Sequence, residues 1–187
     1  MLRRLLLYLS AAKWARGIVT RWGVARKVAR RFIAGETIDD ALNATRQLNE
    51  QGLLVSLDYL GESVESAADT HEVVGTYRRM IELIQRHGLQ AGVSLKLTHL
   101  GLDIGEELCL LNLRTILTEA KTQNIPVTID MESSAYTEKT LQIFRTMRHE
   151  YDFDNVGTVI QAYLYRTADD LRAFATEGAT IRLCKGA

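Results

Sequence analysis

From residue 53 onward, the sequence alternates between short apolar runs of strand length and longer segments with helical periodicity. The helical segments bury one apolar stripe each; the stripe of the first contains Val73, Tyr77, Ile81 and Ile84. Repeated strand–helix units with short connections are typical of a parallel sheet covered by helices. The sequence therefore predicts an α/β fold whose strands lie at residues 53–58, 91–97, 125–130, 156–162 and 180–184.

Phosphate-binding motifs distinguish the common parallel α/β architectures. No Gly-x-Gly-x-x-Gly follows the first strand, and no Walker-type loop occurs in the chain. A (βα) barrel is therefore favoured over a dinucleotide-binding fold. Five units are fewer than the eight of a closed barrel, and the chain stops at Ala187, directly after a strand. We expect residues 51–187 to be the first part of a (βα)8 TIM barrel, cut from a longer polypeptide.

The first 50 residues differ from the rest of the chain in charge. Residues 1–35 carry nine Lys and Arg side chains and no acid, so all 23 Asp and Glu residues follow them. The first apolar run is far shorter than the roughly 20 residues of a transmembrane helix. We predict a basic N-terminal helical arm over residues 1–50. Packing of its apolar stripe over the domain is favoured, and contact with an anionic membrane surface stays open.

Cysteines and histidines constrain the function mainly by what they fail to form. Cys109 and Cys184 have no disulfide, metal or redox spacing, and the four histidines are scattered without a metal signature. A reducing, cytoplasmic setting is expected, with no metal and no nucleic-acid partner. His99 follows the second strand in a loop, where we expect it to be solvated.

A polar side chain stands at or near the end of each of the five predicted strands: Asp58, Lys96, Asp130, Gln161 and Arg182. The carboxyl ends of barrel strands meet at one face, so these side chains are expected to share a pocket. In a purely structural interpretation, the carboxylates pair with Lys96 and Arg182 and only close the mouth of the barrel. Five residues at the same topological place favour an active site instead.

Asp130 belongs to the most informative stretch, residues 127–136 (VTIDMESSAY), where a strand ends in two carboxylates before a new helix. We assign Asp130 to the active site. Glu132 alternates with it, and we expect Glu132 to hold the following loop through Ser133 or Ser134.

Five motifs in order make a specific resemblance: VSLDYLGE, VSLKLTHLGL, IDMESSAYT, IQAYLYR and IRLCKGA, which begin at residues 55, 93, 129, 160 and 181. Together they closely resemble the bacterial monofunctional proline dehydrogenases. The resemblance runs through essentially the whole chain and is weakest in the arm.

The resemblance implies a distorted (βα)8 barrel that binds FAD and oxidises L-proline to 1-pyrroline-5-carboxylate. A hydride passes to flavin N5, and the electrons then pass to a quinone, which implies peripheral contact with the inner face of a membrane. By motif position, Asp130 and Arg182 are expected at the catalytic site and Lys96 near the proline carboxylate. The expected flavin contacts are Met131, Gln161, Lys185, Gly186 and Ala187.

Two other functions remain open from the residues alone. A Schiff-base lyase or aldolase on the same barrel would use Lys96 or Lys185 as its amine nucleophile. A membrane-surface or partner-binding fragment would depend on the basic arm.

We predict that the 187-residue chain alone neither holds FAD tightly nor oxidises proline. The family continues after its Lys-Gly-Ala motif with an aromatic residue, further flavin contacts and a late helix whose paired arginines clamp the substrate carboxylate. The absorbance spectrum of the purified chain tests this prediction. Stoichiometric yellow protein would contradict it.

Overall fold

A five-stranded parallel sheet is the centre of the computed structural model, which describes residues 33–61 and 63–186. Neighbours along the chain are neighbours in the sheet, and every adjacent pair is parallel. This sequential order belongs to a (βα) barrel, because the strand order of a doubly wound sheet reverses at a switch point. The predicted α/β barrel sheet is confirmed, with strands β1 (Val55–Asp58), β2 (Ala91–Leu95), β3 (Val127–Ile129), β4 (Val156–Gln161) and β5 (Thr180–Cys184).

In the part of the chain that the structure describes, one helix precedes β1, and a helix lies in each connection between strands. In the described residues these are α1 (Ile38–Asn49), α2 (Ala67–Arg86), α3 (Glu106–Thr122), α4 (Thr137–Arg145), which continues into a π-helical turn (Thr146–Glu150), and α5 (Thr167–Thr176).

The chain divides into two compact units, residues 1–44 and 45–187, and the second contains the sheet. The structure describes the first unit only from residue 33. Most of the predicted arm, including its expected amphipathic helices, lies outside the described residues. The boundary at residue 50 stays a prediction. None of the helices in the described ranges is both long and apolar enough to span a bilayer.

Local hydrogen bonds explain where the helices begin. Thr37 caps α1: its hydroxyl accepts from the Asp40 amide at 3.2 Å, and the Asp40 carboxylate accepts from the Thr37 amide at 3.2 Å. Ser66 and Asp69 form the same reciprocal capping box at the start of α2. Each box satisfies amide groups that the first turn of a helix leaves without partners.

The core lies between the sheet and the helices packed on it. All six residues of β4 are buried, as are the last four residues of β2. The helices contribute fully buried side chains to it, among them Tyr77, Ile81, Ile116, Leu117 and Phe144. These residues occupy the apolar stripes that the helical periodicity predicts.

Several strands end earlier than the sequence pattern predicts. The second apolar run extends to Leu97, but the Leu97 carbonyl accepts hydrogen bonds from the amides of Leu100 and Leu102, each at 3.0 Å. These bonds turn the chain out of the sheet, so β2 ends at Leu95. Lys96 therefore stands in the first position of a loop, as does Asp130 after β3.

Candidate active site

The predicted strand-end residues are brought to the carboxyl edge of the sheet. Asp58 and Gln161 are the last residues of β1 and β4, and Lys96 and Asp130 follow β2 and β3 directly. The Asp130 amide donates to the Leu95 carbonyl at 2.8 Å, which fixes the β3 end beside the β2 end. Parallel register thus gathers residues that are far apart in sequence.

Four of these residues form one network of alternating charge. The Lys96 Nζ atom lies 3.0 Å from Asp58 Oδ2 and 3.8 Å from Asp130 Oδ2. The guanidinium of Arg182, from the middle of β5, donates to the second carboxylate oxygen of Asp130. The side chains of Lys96, Asp58 and Asp130 are 17%, 22% and 18% exposed, and that of Arg182 is 43% exposed. Carboxylates and cations therefore alternate from β1 to β5.

The environment of Asp130 opposes its charge. Burial raises the pKa of the Asp130 carboxyl, and the nearby charge of Asp58 raises it further, while Arg182 and Lys96 act in the opposite direction. Desolvation is the largest of these effects, so the pKa lies above its ordinary value. The charged form of this carboxylate is held in the site at a cost to folding.

We predict that Asp130→Asn changes how stability depends on pH. Between the ordinary pKa of aspartate, about 3.9, and the raised pKa of Asp130, the folded chain binds more protons than the unfolded chain. Wild-type stability therefore falls as pH rises through this window, and the variant lacks that loss. The free energy of unfolding of the variant, relative to wild type, should rise between pH 4 and pH 7 in urea titrations.

Asp154→Asn is the matched control with the opposite sign. Its hydrogen bond to Lys121 lowers the pKa of the exposed Asp154 carboxyl. Wild type therefore gains stability as pH rises towards the ordinary pKa of aspartate, about 3.9. The relative stability of this variant should fall slightly as pH rises below that value and stay nearly level between pH 4 and pH 7. A relative stability of Asp130→Asn that also falls with pH would contradict the prediction.

Glu132 ties together the loops that follow three strands. Its carboxylate accepts from the Thr98 amide at 3.2 Å and from the Thr98 hydroxyl at 2.5 Å. The Thr98 hydroxyl in turn accepts from the amide of Ser63, in the loop after β1, at 3.4 Å. We expected Glu132 to hold its own loop through Ser133 or Ser134, whereas the contact found here reaches the neighbouring loop.

The expectation that His99 is solvated is wrong. The residue is 7% exposed, and its ring stacks on Tyr59 with 5.3 Å between ring centroids. Thr98 and Leu100 on either side are also buried. The Glu132–Thr98 hydrogen bonds draw this turn inward, a long-range effect that the local pattern of a polar loop does not reveal.

The predicted flavin contacts after β4 and β5 form a second group. Gln161 is 8% exposed, its Nε2 donates to the Glu132 carbonyl at 3.4 Å, and its Oε1 has no hydrogen-bond partner within the described part of the chain. A buried acceptor of this kind calls for a donor. The N–H of a bound heterocycle would supply one, so the residue fits a flavin.

The backbone at Gly186 approaches this group closely. Gly186 has φ +89°, and a Cβ atom there would lie 2.1 Å from the Tyr163 ring and 3.1 Å from the Gln161 Cβ. Lys185 is exposed at its side chain, and its carbonyl accepts from the Tyr163 amide at 3.2 Å. Met131, beside Asp130, is 9% exposed. Ala187 lies outside the described residues.

We predict that Gly186→Ala destabilises the chain by more than Gly178→Ala. Gly178 also has positive φ, at +61°, but nothing lies within 4 Å of an added Cβ. The control therefore carries backbone strain of about 1 kcal/mol, and Gly186→Ala adds displacement of the Tyr163 ring for a total of about 2–3 kcal/mol. Denaturant unfolding measures both. Equal losses of stability in the two variants would contradict the steric explanation.

Comparison with known proteins identifies the family. Residues 41–187 match the family model described as Proline dehydrogenase. Proline dehydrogenase 1 of Bacillus subtilis (strain 168) is 44% identical over 191 residues, which cover 100% of this chain and 61% of that protein. The chain belongs to the proline dehydrogenase family. Proline dehydrogenase of Deinococcus radiodurans is 37% identical over 163 residues, which cover 86% of this chain and 53% of that protein.

Solved structures agree on the fold. Proline utilization A from Bdellovibrio bacteriovorus, inactivated by N-propargylglycine, aligns with a TM-score of 0.77 at 23% identity over 87% of this chain and 20% of that one. The D779Y mutant of proline utilization A from Bradyrhizobium japonicum aligns with a TM-score of 0.66 at 26% identity, covering 92% and 21%. The resemblance seen in the five motifs is confirmed. The chain spans 61% of the length of its Bacillus relative.

One contact at the site was not predicted. Tyr77 lies in the apolar stripe of α2, and the sequence places it in the core, where it is indeed 0% exposed. Its hydroxyl donates towards both Asp58 Oδ1 at 3.2 Å and the Ser94 carbonyl at 3.0 Å. A phenol among aliphatic neighbours is the signal, because a buried hydroxyl requires a polar partner. In the described ranges, no group of His, Cys, Asp and Glu side chains could hold a metal ion.

Proposed function

We propose that this chain carries the cofactor-binding and catalytic strand ends of a flavin-dependent enzyme that oxidises L-proline to 1-pyrroline-5-carboxylate. Membership of the proline dehydrogenase family supports the reaction. The observation that carries the proposal is the charged network at the carboxyl edge of the sheet, where Lys96, Asp130 and Arg182 meet.

The reaction removes a hydride from a ring carbon of proline and a proton from its nitrogen, and that proton passes to solvent. FAD, when bound, supplies the hydride acceptor at N5. Hydride transfer needs no protein nucleophile, so the work of the protein is to hold the donor carbon and to set the surrounding charge. Lys96 provides the cation for the proline carboxylate. Arg182 would stabilise negative charge on the bound cofactor, and Asp130 orients Arg182 by accepting its hydrogen bond.

The cofactor contacts are proposed on the opposite part of the same edge. The free acceptor of Gln161 suits an N–H of the flavin ring. Met131 offers a polarizable apolar surface beside Asp130. The close backbone approach at Gly186 brings main-chain groups of this segment beside Gln161, where they are available to the cofactor together with Lys185. Ala187 is proposed as a further contact from its motif position alone.

We further propose that a quinone accepts the electrons and that the basic arm contacts the membrane in which the quinone lies. The nine cations and missing acids of residues 1–35 support attraction to an anionic surface.

The network argues against the Schiff-base alternative. A Schiff-base lysine must lose its proton, which enzymes achieve by desolvation or by neighbouring positive charge. Lys96 instead has Asp58 at 3.0 Å and Asp130 at 3.8 Å, and these carboxylates favour its ammonium form. Lys185 is exposed, so it lacks a desolvating pocket.

A chimera tests the proposed function. Residues 1–187 would be followed by the carboxyl-terminal part of Bacillus subtilis proline dehydrogenase 1 that lies beyond the matched region. We expect the purified chimera to be yellow and its flavin to be bleached by L-proline without oxygen. A soluble quinone analogue should restore the absorbance.

Lys96→Met in the chimera is the diagnostic variant. Loss of the cation should leave the flavin bound and raise KM for proline by about tenfold or more, as for removal of one partner of an ion pair. Lys139→Met is the control, since Lys139 pairs with Glu106 on the helix surface. A flavin-loaded chimera that proline does not bleach would contradict the proposed substrate. A folded, colourless chimera would contradict the proposed cofactor.

A further inference from the structure

We propose that Asp58 is a positioning residue for Lys96 and that the buried hydroxyl of Tyr77 holds Asp58 in place. The inference rests on the proposed function, in which Lys96 meets the substrate carboxylate. Asp58 acts through Lys96 and touches neither substrate nor cofactor in this scheme.

The first step is the geometry of Lys96. Its ammonium lies 3.0 Å from Asp58 Oδ2, with hydrogen-bond geometry, and 3.8 Å from Asp130. Both distances allow ion pairing, but only the contact with Asp58 is short enough for a hydrogen bond. Asp58 therefore fixes the direction in which the Lys96 side chain leaves the end of β2.

The second step is the support of Asp58 from below. Tyr77 is 0% exposed, and its hydroxyl bridges Asp58 Oδ1 and the carbonyl of Ser94. Ser94 is the register partner of Asp58 in the sheet. The phenol thus shares its single proton between one carboxylate oxygen of Asp58 and the backbone carbonyl of the adjacent strand, while the other carboxylate oxygen faces Lys96.

The Tyr77 hydroxyl keeps its proton and can therefore always donate a hydrogen bond. Burial, followed by the charge of Asp58, raises the pKa of the Tyr77 hydroxyl far above its usual range. The phenol therefore stays protonated, and it remains a donor to the carboxylate throughout the working pH range.

The third step concerns the division of carboxylates between cations. Because Asp58 holds Lys96, Asp130 is left to orient Arg182. Without Asp58, Lys96 would still have the Asp130 carboxylate 3.8 Å away. Lys96 would then compete with Arg182 for one carboxylate. Lys96, which meets the substrate carboxylate, and Arg182, which faces the cofactor, would then both lose their fixed geometry.

The reactivity of Lys96 in the full 187-residue chain tests the first step directly. Trace acylation at pH 8, read by peptide mass spectrometry, reports the fraction of each lysine that is unprotonated and accessible. We expect slow labelling of Lys96 relative to Lys139 in wild type, because Asp58 and Asp130 favour the ammonium over the opposing charge of Arg182. Asp58→Asn should raise the relative rate about tenfold, because it removes the carboxylate that lies 3.0 Å from the ammonium.

Tyr77→Phe tests the second step with the loss of a single oxygen. We expect a smaller rise in the Lys96 rate, about threefold, because this variant keeps the charge of Asp58 beside Lys96 and loses only the hydrogen bond that orients it. The double variant should match Asp58→Asn alone, since Tyr77 acts through Asp58. Tyr136→Phe is the matched control: Tyr136 donates to Asp103 at 2.8 Å, so it removes a tyrosine–aspartate hydrogen bond elsewhere.

A kinetic readout in the chimera separates positioning from a purely structural role. Asp58→Asn should raise KM for proline about tenfold with a smaller loss of kcat, and Tyr77→Phe should act in the same direction. A structural role would reduce yield or thermal stability and leave KM of the folded enzyme unchanged. If Asp58→Asn does not fold, the Tyr77→Phe measurements decide.

Two results would overturn the inference. One is labelling of Lys96 as fast as that of Lys139 in wild type, and the other is a Lys96 rate unaffected by Asp58→Asn or, where that variant does not fold, by Tyr77→Phe. Neither depends on turnover. A wild-type chimera that fails to oxidise proline would instead remove the proposed function, while the labelling result would still decide whether Asp58 controls Lys96.

Discussion

The ion pairing of Lys96 is the interaction on which the carboxyl edge of the sheet depends. A lysine that is only 17% exposed needs a nearby anion, and two strands supply one each. Asp58 and Asp130 are close enough to Lys96 only because β1, β2 and β3 are parallel and adjacent. The same cation thus compensates two carboxylates that would otherwise repel each other. The order of the strands therefore determines the order of the charges at this edge of the sheet.

Hydrogen bonds between loops hold the charged residues in place beyond the ends of the strands. Strands fix the positions of Cα atoms, but Lys96 and Asp130 stand one residue beyond their strands, where the ladder no longer holds them. The Glu132–Thr98 bonds take over this task, since they join the loops after β2 and β3. Gln161 extends the connection to β4 through the Glu132 carbonyl. The site residues are therefore carried by loops that are themselves tied to one another.

The sequence predicts the strand order and the clustering of Asp58, Lys96, Asp130 and Arg182, because periodicity and parallel topology are local and general rules. It predicts strand ends less well: β2 stops at Leu95 since the Leu97 carbonyl is taken by the following turn. Burial of His99 and the hydroxyl contacts of Tyr77 depend on which segments meet in space. Apolar periodicity places the Tyr77 ring correctly, yet it carries no information on the partner of its oxygen.

At Asp130, the stability of the fold and the charge that the site needs oppose each other. Its raised pKa means that the folded chain favours the neutral form more than the unfolded chain does. The charged form is nevertheless the one that pairs with Arg182, so the cost of keeping it is borne by the stability of the fold. The charge of Asp58 adds to that cost, whereas the charges of Arg182 and Lys96 reduce it. A carboxylate placed for its effect on a neighbouring cation, rather than for its own proton, suits the proposed function, in which a hydride moves and no nucleophile is needed.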